Sequence, residues 1–191
     1  MPRIKTPQNL AELNKAGLLY TRANDAWRKG RARSAFRLFI SAARAGERSA
    51  IGTVAQFYDQ GYGVSRNENV ALRWYKLAYL NGDRSVANNI GCILRDRGKL
   101  DEALIWFRRS VRMNDGDANL NIAKLYLERK GDTARAVHYL IEARDSRWAT
   151  DATKEEAMNL LERMQKRAPR RRKAGGMKRP ATSKRHVRPD E

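Results

Sequence analysis

The chain has 191 residues, with 40 lysines and arginines against 21 aspartates and glutamates, so its formal net charge is +19 at pH 7. It has no apolar run long enough to span a membrane, and its single cysteine, Cys92, excludes an intramolecular disulfide and a cysteine-rich zinc module. Because the N-terminal residues contain no apolar stretch of secretory length, we expect a cytoplasmic protein whose excess charge attracts an anionic partner or surface.

The first predicted element is a helix that starts at Thr6-Pro7, because proline is favoured at the first helical position. Residues 1–17 are therefore expected to form an N-terminal cap or extension. We expect this segment to cover the first of the helices that follow it.

A three-residue pattern then recurs four times between residues 18 and 149. An alanine is followed four residues later by an aromatic residue or leucine, and seven residues later by a small residue, which places all three on one face of a helix. The sets are Ala35, Phe39 and Ala42; Ala71, Tyr75 and Ala78; Ala103, Phe107 and Ser110; and Ala136, Leu140 and Ala143. Small residues on this face let a neighbouring helix approach closely, while the larger residue fills the space beside it.

Another predicted helix precedes each of these sets. It is marked by a small residue at Ala23, Ala55, Gly91 and Ala123, and a glycine separates the two helices at Gly30, Gly61, Gly98 and Gly131. Gly46, Gly82 and Gly116 are expected to end the second helices. The pattern predicts helical hairpins at 18–46, 47–82, 83–116 and 117–149, which must stack because none buries its apolar face alone.

A capping helix is predicted at 150–167. Asp151 or Thr153 is a suitable N-cap, and one apolar stripe follows, made of Ala157, Leu160, Leu161 and Met164. The predicted fold is thus all-α: an α-solenoid of about four helix-turn-helix repeats closed by this helix. Residues 168–191 are expected to form a disordered basic tail, because residues 163–191 carry a net charge of +10 and few apolar residues.

These repeats resemble the tetratricopeptide superfamily, and the second repeat resembles its Sel-one-like branch. Residues 54–64, VAQFYDQGYGV, match the branch pattern LGxxYxxGxGV, and residues 71–82 are similar to AxxWYxxAAxxG. Ala55 and Leu77 depart from these patterns, and repeats three and four look like ordinary tetratricopeptide units. The resemblance covers about residues 18–149, and it implies a helical stack that serves as an adaptor or scaffold for protein partners.

The sequence shows no arrangement of residues typical of catalysis, of a cofactor site or of a metal site, so we expect a non-enzymatic protein. Gly61-Tyr62-Gly63 is not a dinucleotide motif, because Arg66 stands where the third glycine is needed. Neither His138 nor His186 has companions for a catalytic triad or a metal site. Cys92 is interpreted as a small buried hydrophobic residue.

A protein or peptide partner is expected on the concave face, which the first helices of the hairpins line. Residues one and four positions after each small marker are predicted to point there, namely Asn24, Trp27, Gln56, Asp59, Cys92, Arg95, Lys124 and Leu127. Their mixed charge suits a peptide or helix better than a phosphate backbone. The alternative is a face that is merely solvated.

The tail suggests an electrostatic tether for nucleic acid or an acidic partner, with a solubilising role as the alternative. Its basic residues are Arg170, Arg171, Arg172, Lys173, Lys178, Arg179, Lys184 and Arg185. Three hypotheses follow: an adaptor with a basic tether, a protein that binds RNA, DNA or ribosomes through the tail, and a partner that neutralises a toxin or regulates a secretion or envelope system. The third rests only on what some relatives suggest.

Overall fold

The computed structural model describes residues 4–128 and 132–167, and this part of the chain contains nine α-helices, one 3-10 turn at Arg84–Val86 and no strand. The helices are α1 (Leu10–Arg28), α2 (Ala32–Arg44), α3 (Arg48–Gln60), α4 (Glu68–Leu80), α5 (Ala87–Asp96), α6 (Leu100–Val111), α7 (Asp117–Glu128), α8 (Thr133–Asp145) and α9 (Asp151–Arg167). The predicted all-α solenoid is therefore confirmed. The predictions for Gly131 and for the basic tail at 168–191 lie outside the described residues.

The helices pack in chain order as hairpins, and each hairpin stacks on the next. Extensive contacts join α1 to α2, α3 to α4, α5 to α6 and α7 to α8, and each second helix also contacts the first helix that follows it. Among the described residues, the backbone of α5 also approaches that of α7, and the backbone of α7 approaches that of α9. The backbones of no two second helices come as close. The first helices therefore line the inner side of the solenoid, and the second helices line its outer side.

The core includes the residues that the repeat pattern predicts. All members of the four three-residue sets are buried, and Tyr75, Phe39 and Phe107 are among the largest fully buried side chains. Burying a side chain such as Phe39 stabilises the fold by about 1.5–3 kcal/mol. The small markers of the first helices are buried as well, so both helices of a hairpin present small residues where they meet.

The N-terminal segment differs from the prediction. The helix does not start at Thr6-Pro7 but at Leu10, where Asn9 acts as N-cap and its side-chain oxygen accepts a hydrogen bond from the Glu12 amide at 2.9 Å. The residues before it are not helical, because their backbone is engaged elsewhere: the Lys5 amide donates to the Arg44 carbonyl at 3.1 Å. The boundary expected at residue 17 consequently falls inside α1.

The left-handed residue after α6 also differs from the prediction. Gly46 and Gly82 follow the other second helices with positive φ, but after α6 the left-handed residue is Asn114, with φ of 62°. Gly116 does not adopt a positive φ and is buried instead, where a Cβ atom would lie 2.5 Å from the Ala149 amide nitrogen. The absence of a side chain at Gly116 therefore lets the segment that leads into α9 pack closely. Asn114 tolerates the left-handed conformation because its side chain is short and polar.

The capping helix packs as predicted, but neither predicted residue is its N-cap. Thr150 performs this role, since its hydroxyl accepts a hydrogen bond from the Thr153 amide at 3.3 Å. The Thr150 amide in turn donates to Asp117 Oδ1 at 2.8 Å, which ties the start of α9 to the start of α7. Ala157 is buried, and the remaining residues of the apolar stripe pack beside it against α7 and α8.

Gly91→Ala is expected to lower the free energy of unfolding by about 1–3 kcal/mol, because a Cβ atom there would lie 2.5 Å from the Phe107 ring and the packed core cannot absorb it. Gly17→Ala is the matched control, since its Cβ atom would have no neighbour closer than 4.0 Å. The control should gain about 0.5–1 kcal/mol from helix propensity. Chemical denaturation measures both variants, and equal gains would contradict the close contact.

Candidate partner-binding face

A row of polar side chains crosses the inner face and links three first helices. Arg95 of α5 donates from Nη1 to Asn121 Oδ1 of α7 at 3.0 Å, and Asn121 Nδ2 donates to Asn88 Oδ1 of α5 at 3.0 Å. Lys124 of α7 forms an ion pair with Glu156 of α9 at 2.8 Å. We call these five residues the inner polar row. It includes two predicted site residues, Arg95 and Lys124, each of which bonds to a side chain of a neighbouring helix.

The inner polar row is partly solvent-exposed and contains both charges. The Arg95 side chain is 21% exposed and also pairs with Asp96 at 3.0 Å, while Lys124 and Glu156 are 33% and 49% exposed. Ion pairs this accessible contribute about 0–1 kcal/mol, so their charges remain available to a ligand. The row offers donors and acceptors side by side, a combination that suits the backbone and polar side chains of a peptide.

Gln56 and Asp59 continue the inner face onto α3. Gln56 directly follows the small marker residue of its helix, as Cys92 and Lys124 follow theirs. The Gln56 side chain is exposed. Asp59 is half-buried and accepts a hydrogen bond from the Tyr75 hydroxyl at 3.4 Å. Burial raises the pKa of Asp59, although hydrogen bonds from Gln60 and Tyr75 oppose that shift.

The buried groups beside Asp59 remain protonated. Burial, together with the neighbouring Asp59 charge, raises the pKa of the Tyr75 hydroxyl. Burial likewise raises the pKa of the Cys92 thiol, which is half-buried rather than fully buried. A raised pKa keeps a thiol protonated, and a protonated thiol is a weak nucleophile and a weak metal ligand.

Asn24 and Trp27 do not join the inner polar row. Asn24 donates from its side-chain amide to the Tyr20 carbonyl of its own helix at 3.0 Å. Trp27 is 40% exposed and packs against Phe57 at 5.0 Å and Tyr62 at 5.1 Å between ring centroids. Its position is fixed by an aromatic cluster at the contact of α1, α3 and the turn after α3. Leu127, the last residue in the predicted series, is half-buried.

The prediction missed three members of the inner polar row: Asn88, Asn121 and Glu156. The two asparagines stand three and two residues before the markers Gly91 and Ala123, in helices whose other residues are mostly apolar. Each of these helices contains a further asparagine, so the sequence carried no signal that singles these two out. Glu156 carried none either, because its role depends on how α9 lies against α7.

Within residues 4–128 and 132–167, no group of three or more histidine, cysteine or acidic side chains is placed to hold a metal ion. Every buried side-chain nitrogen or oxygen described there has a hydrogen-bond partner. None of the helices in that part of the chain is both long enough and apolar enough to cross a membrane.

Asn121→Ala is expected to lower the free energy of unfolding by about 1–2 kcal/mol, because it removes two hydrogen bonds between repeats. Asn14→Ala is the control, since Asn14 is exposed on α1 and has no side-chain hydrogen bond to another described residue. The control should change stability by less than about 0.5 kcal/mol. Urea denaturation compares the two variants, and an equal loss of stability would show that the inner polar row adds nothing to the free energy of unfolding.

Asp59→Asn tests the raised pKa of Asp59. The folded state binds this proton more tightly than the unfolded state, so the wild type loses stability as pH rises from the ordinary value of 3.8 through the raised pKa. The variant has no such proton, and its stability relative to the wild type should therefore improve between about pH 3 and pH 7. Urea denaturation at each pH measures this difference.

Asp145→Asn is the control, and its stability should depend on pH in the opposite direction, because the Arg144 side chain holds the pKa of Asp145 below its usual value. Its stability relative to the wild type should fall, and not rise, with increasing pH. The same trend in both variants would contradict the assignment for Asp59.

Comparison with known proteins shows what this helical stack resembles. The model of a family described as Sel1 repeat matches residues 32–47, 51–83, 90–115 and 116–146. Among solved structures, a protective antigen of uropathogenic Escherichia coli with an SLR fold aligns with a TM-score of 0.64 and 16% identity, covering 81% of this chain and 35% of that chain. A Sel1 repeat protein from Oxalobacter formigenes aligns with a TM-score of 0.58 and 20% identity, covering 82% of this chain and 76% of that chain.

At these identities the structural likeness shows the fold alone, and this chain spans about a third of the length of the Escherichia coli antigen. The comparison with curated proteins gave no match. The matched repeats nevertheless include more than half of the chain. Three of them largely cover the hairpins α3–α4, α5–α6 and α7–α8, and the first covers α2. The chain therefore belongs to the Sel1 repeat family, whose members are commonly non-catalytic scaffolds for protein–protein interaction.

Proposed function

We propose that this protein is a non-enzymatic adaptor that holds a protein or peptide partner on the inner face of its first helices. The observation that carries the proposal is the inner polar row, in which Arg95 of α5 bonds to Asn121 of α7 and Lys124 of α7 pairs with Glu156 of α9. A site of this kind spans several repeats. It therefore suits an elongated ligand better than a small molecule.

The charge of the inner face supports a peptide ligand. Arg95 and Lys124 are cations, while Asp59, Asp96 and Glu156 are acids, so the surface has no strong excess of either sign. A phosphate backbone would need a predominantly basic surface. A peptide needs donors and acceptors in alternation, and this face provides them.

The basic tail supports a second candidate function, the binding of RNA or DNA. The net charge of +10 between residues 163 and 191 would promote such binding through counterion release, without sequence readout. In the adaptor proposal, the same tail strengthens or localises the complex as a tether. The two functions differ in which part of the chain retains the partner.

Affinity purification of the full chain, with and without nuclease, tests the adaptor function. Gln56→Trp places a bulky side chain on the exposed inner face of α3, and Gln165→Trp makes the same change at an exposed position on α9. We expect a protein partner that survives nuclease treatment, is retained by the Gln165 variant and is lost with the Gln56 variant. Steric exclusion from the inner face is the physical reason.

A variant that ends at Arg167 separates the two candidate functions. The adaptor proposal expects this shortened chain to retain the same protein with weaker affinity. If every partner is lost on nuclease treatment, or with the tail, the solenoid is not the binder and the nucleic-acid function is favoured.

A further inference from the structure

A second candidate binding surface lies on the outer side of the solenoid, between α4 and α6. Lys76, Tyr79 and Leu80 of α4 line a depression of about 490 Å³ together with Trp106 and Arg109 of α6. Arg84, in the turn after α4, lies over the Tyr79 ring at 5.1 Å. We call these six residues the aromatic–basic pocket. It is separate from the inner polar row, which is built on the first helices.

Two aromatic rings hold the arginines of the aromatic–basic pocket in place. Tyr79 and Trp106 meet edge to face, with ring centroids 4.9 Å apart. The Arg109 guanidinium lies 4.4 Å from the Trp106 centroid and 5.9 Å from that of Tyr79. Arg84 also donates to the Tyr79 hydroxyl at 3.3 Å. Such cation–π contacts use the charge of a guanidinium and leave most of its N–H donors for an acceptor.

The two arginines of the aromatic–basic pocket have no ion-pair partner in the part of the chain that the structure describes, whereas Lys76 acts on Glu102, whose pKa is lowered mainly by its hydrogen bond from Lys99 and further by the Lys76 charge. Glu102, one turn before Trp106, is paired with Lys99 at 2.8 Å. Two arginines without an ion-pair partner among the described residues, with Lys76 beside them, favour carboxylates as ligands, because arginine binds carboxylates with directed, charge-assisted hydrogen bonds.

The pocket also offers apolar surface. Leu80 is 75% exposed at its rim, and Trp106 is only half-buried in its floor. When an apolar side chain of a partner covers so exposed a leucine, apolar surface leaves water and binding is favoured. The volume of the depression is sufficient for one large side chain. The ligand that satisfies both features has an apolar residue flanked by acids.

A nucleic acid fits this pocket less well. Base stacking needs an open ring face, but here Arg109 lies over Trp106 and Arg84 lies over Tyr79. Phosphates would satisfy the cations and leave Leu80 uncovered. We therefore propose that the aromatic–basic pocket docks an acidic peptide segment of a partner protein, anchored by one large apolar side chain next to its carboxylates. This second surface goes beyond the adaptor function of the inner face.

A displayed library of random dodecapeptides, selected on the full chain, tests the proposal. Arg84→Glu/Arg109→Glu reverses two charges of the pocket, and Arg33→Glu/Arg37→Glu makes the same charge change at exposed positions of α2. Both variants retain the basic tail, so binding of acidic peptides to the tail cancels in the comparison. Leu80→Asp tests the apolar anchor, with Leu10→Asp as its control because Leu10 is 71% exposed.

We expect the selected peptides to contain acids beside a leucine, isoleucine, phenylalanine or tryptophan. Their affinity should fall by about tenfold or more in the Arg84/Arg109 variant, because charge-assisted hydrogen bonds are lost. It should also fall in the Leu80 variant and stay unchanged in both controls. Circular dichroism melts establish that each variant is folded, and the Leu80 variant tests the pocket without altering either arginine.

Several results would overturn the proposal. One is a selection that yields no peptide with this composition, and another is a set of selected peptides that bind all variants alike. Binding that depends on Arg84 and Arg109 but not on Leu80 would show charge attraction without an anchor. Oligothymidylate serves as the nucleic-acid probe, and if its binding rather than peptide binding is lost in the Arg84/Arg109 variant, the occupant is a nucleic acid.

Discussion

The solenoid depends on close contact between a small residue on a first helix and a ring or leucine on the helix that follows. Gly91 and Phe107 show the constraint most clearly, because no Cβ atom fits between them. The equivalent markers Ala55 and Ala123 are fully buried too. Interiors packed this tightly transmit any change in helix separation to the neighbouring contacts. The spacing within each hairpin consequently sets how the next hairpin stacks.

The core is apolar, and the polar side chains outside it include two surfaces with different chemistry. On the inner side, amide, guanidinium and carboxylate groups bond to each other across repeats, as Arg95 does with Asn121. On the outer side, Arg109 lies over Trp106 without an ion-pair partner among the described residues. One surface suits a polar ligand of mixed charge, and the other suits an acidic ligand with an apolar anchor.

The candidate site was predictable only in part from the sequence. Counting from a buried marker selected Arg95 and Lys124, each of which bonds to a side chain of a neighbouring helix, because equivalent positions of stacked helices face the same side. The same count failed to link Trp27 to them, since Tyr62 approaches from the turn after α3 and holds the indole in an aromatic cluster. Glu156 was not identifiable, because only the packing of α9 brings it to Lys124.

The sequence by itself determined the helical repeats, their length and the residues that form the core, because burial requires apolar and small side chains at fixed helical spacing. Local capping and turn chemistry was decided by the tertiary structure wherever a distant segment competed for the same groups. Lys5 bonds to Arg44 instead of starting a helix, and Gly116 makes room for Ala149 while Asn114 forms the turn. The aromatic–basic pocket likewise exists only because stacking brings Tyr79 and Trp106, from different repeats, into contact.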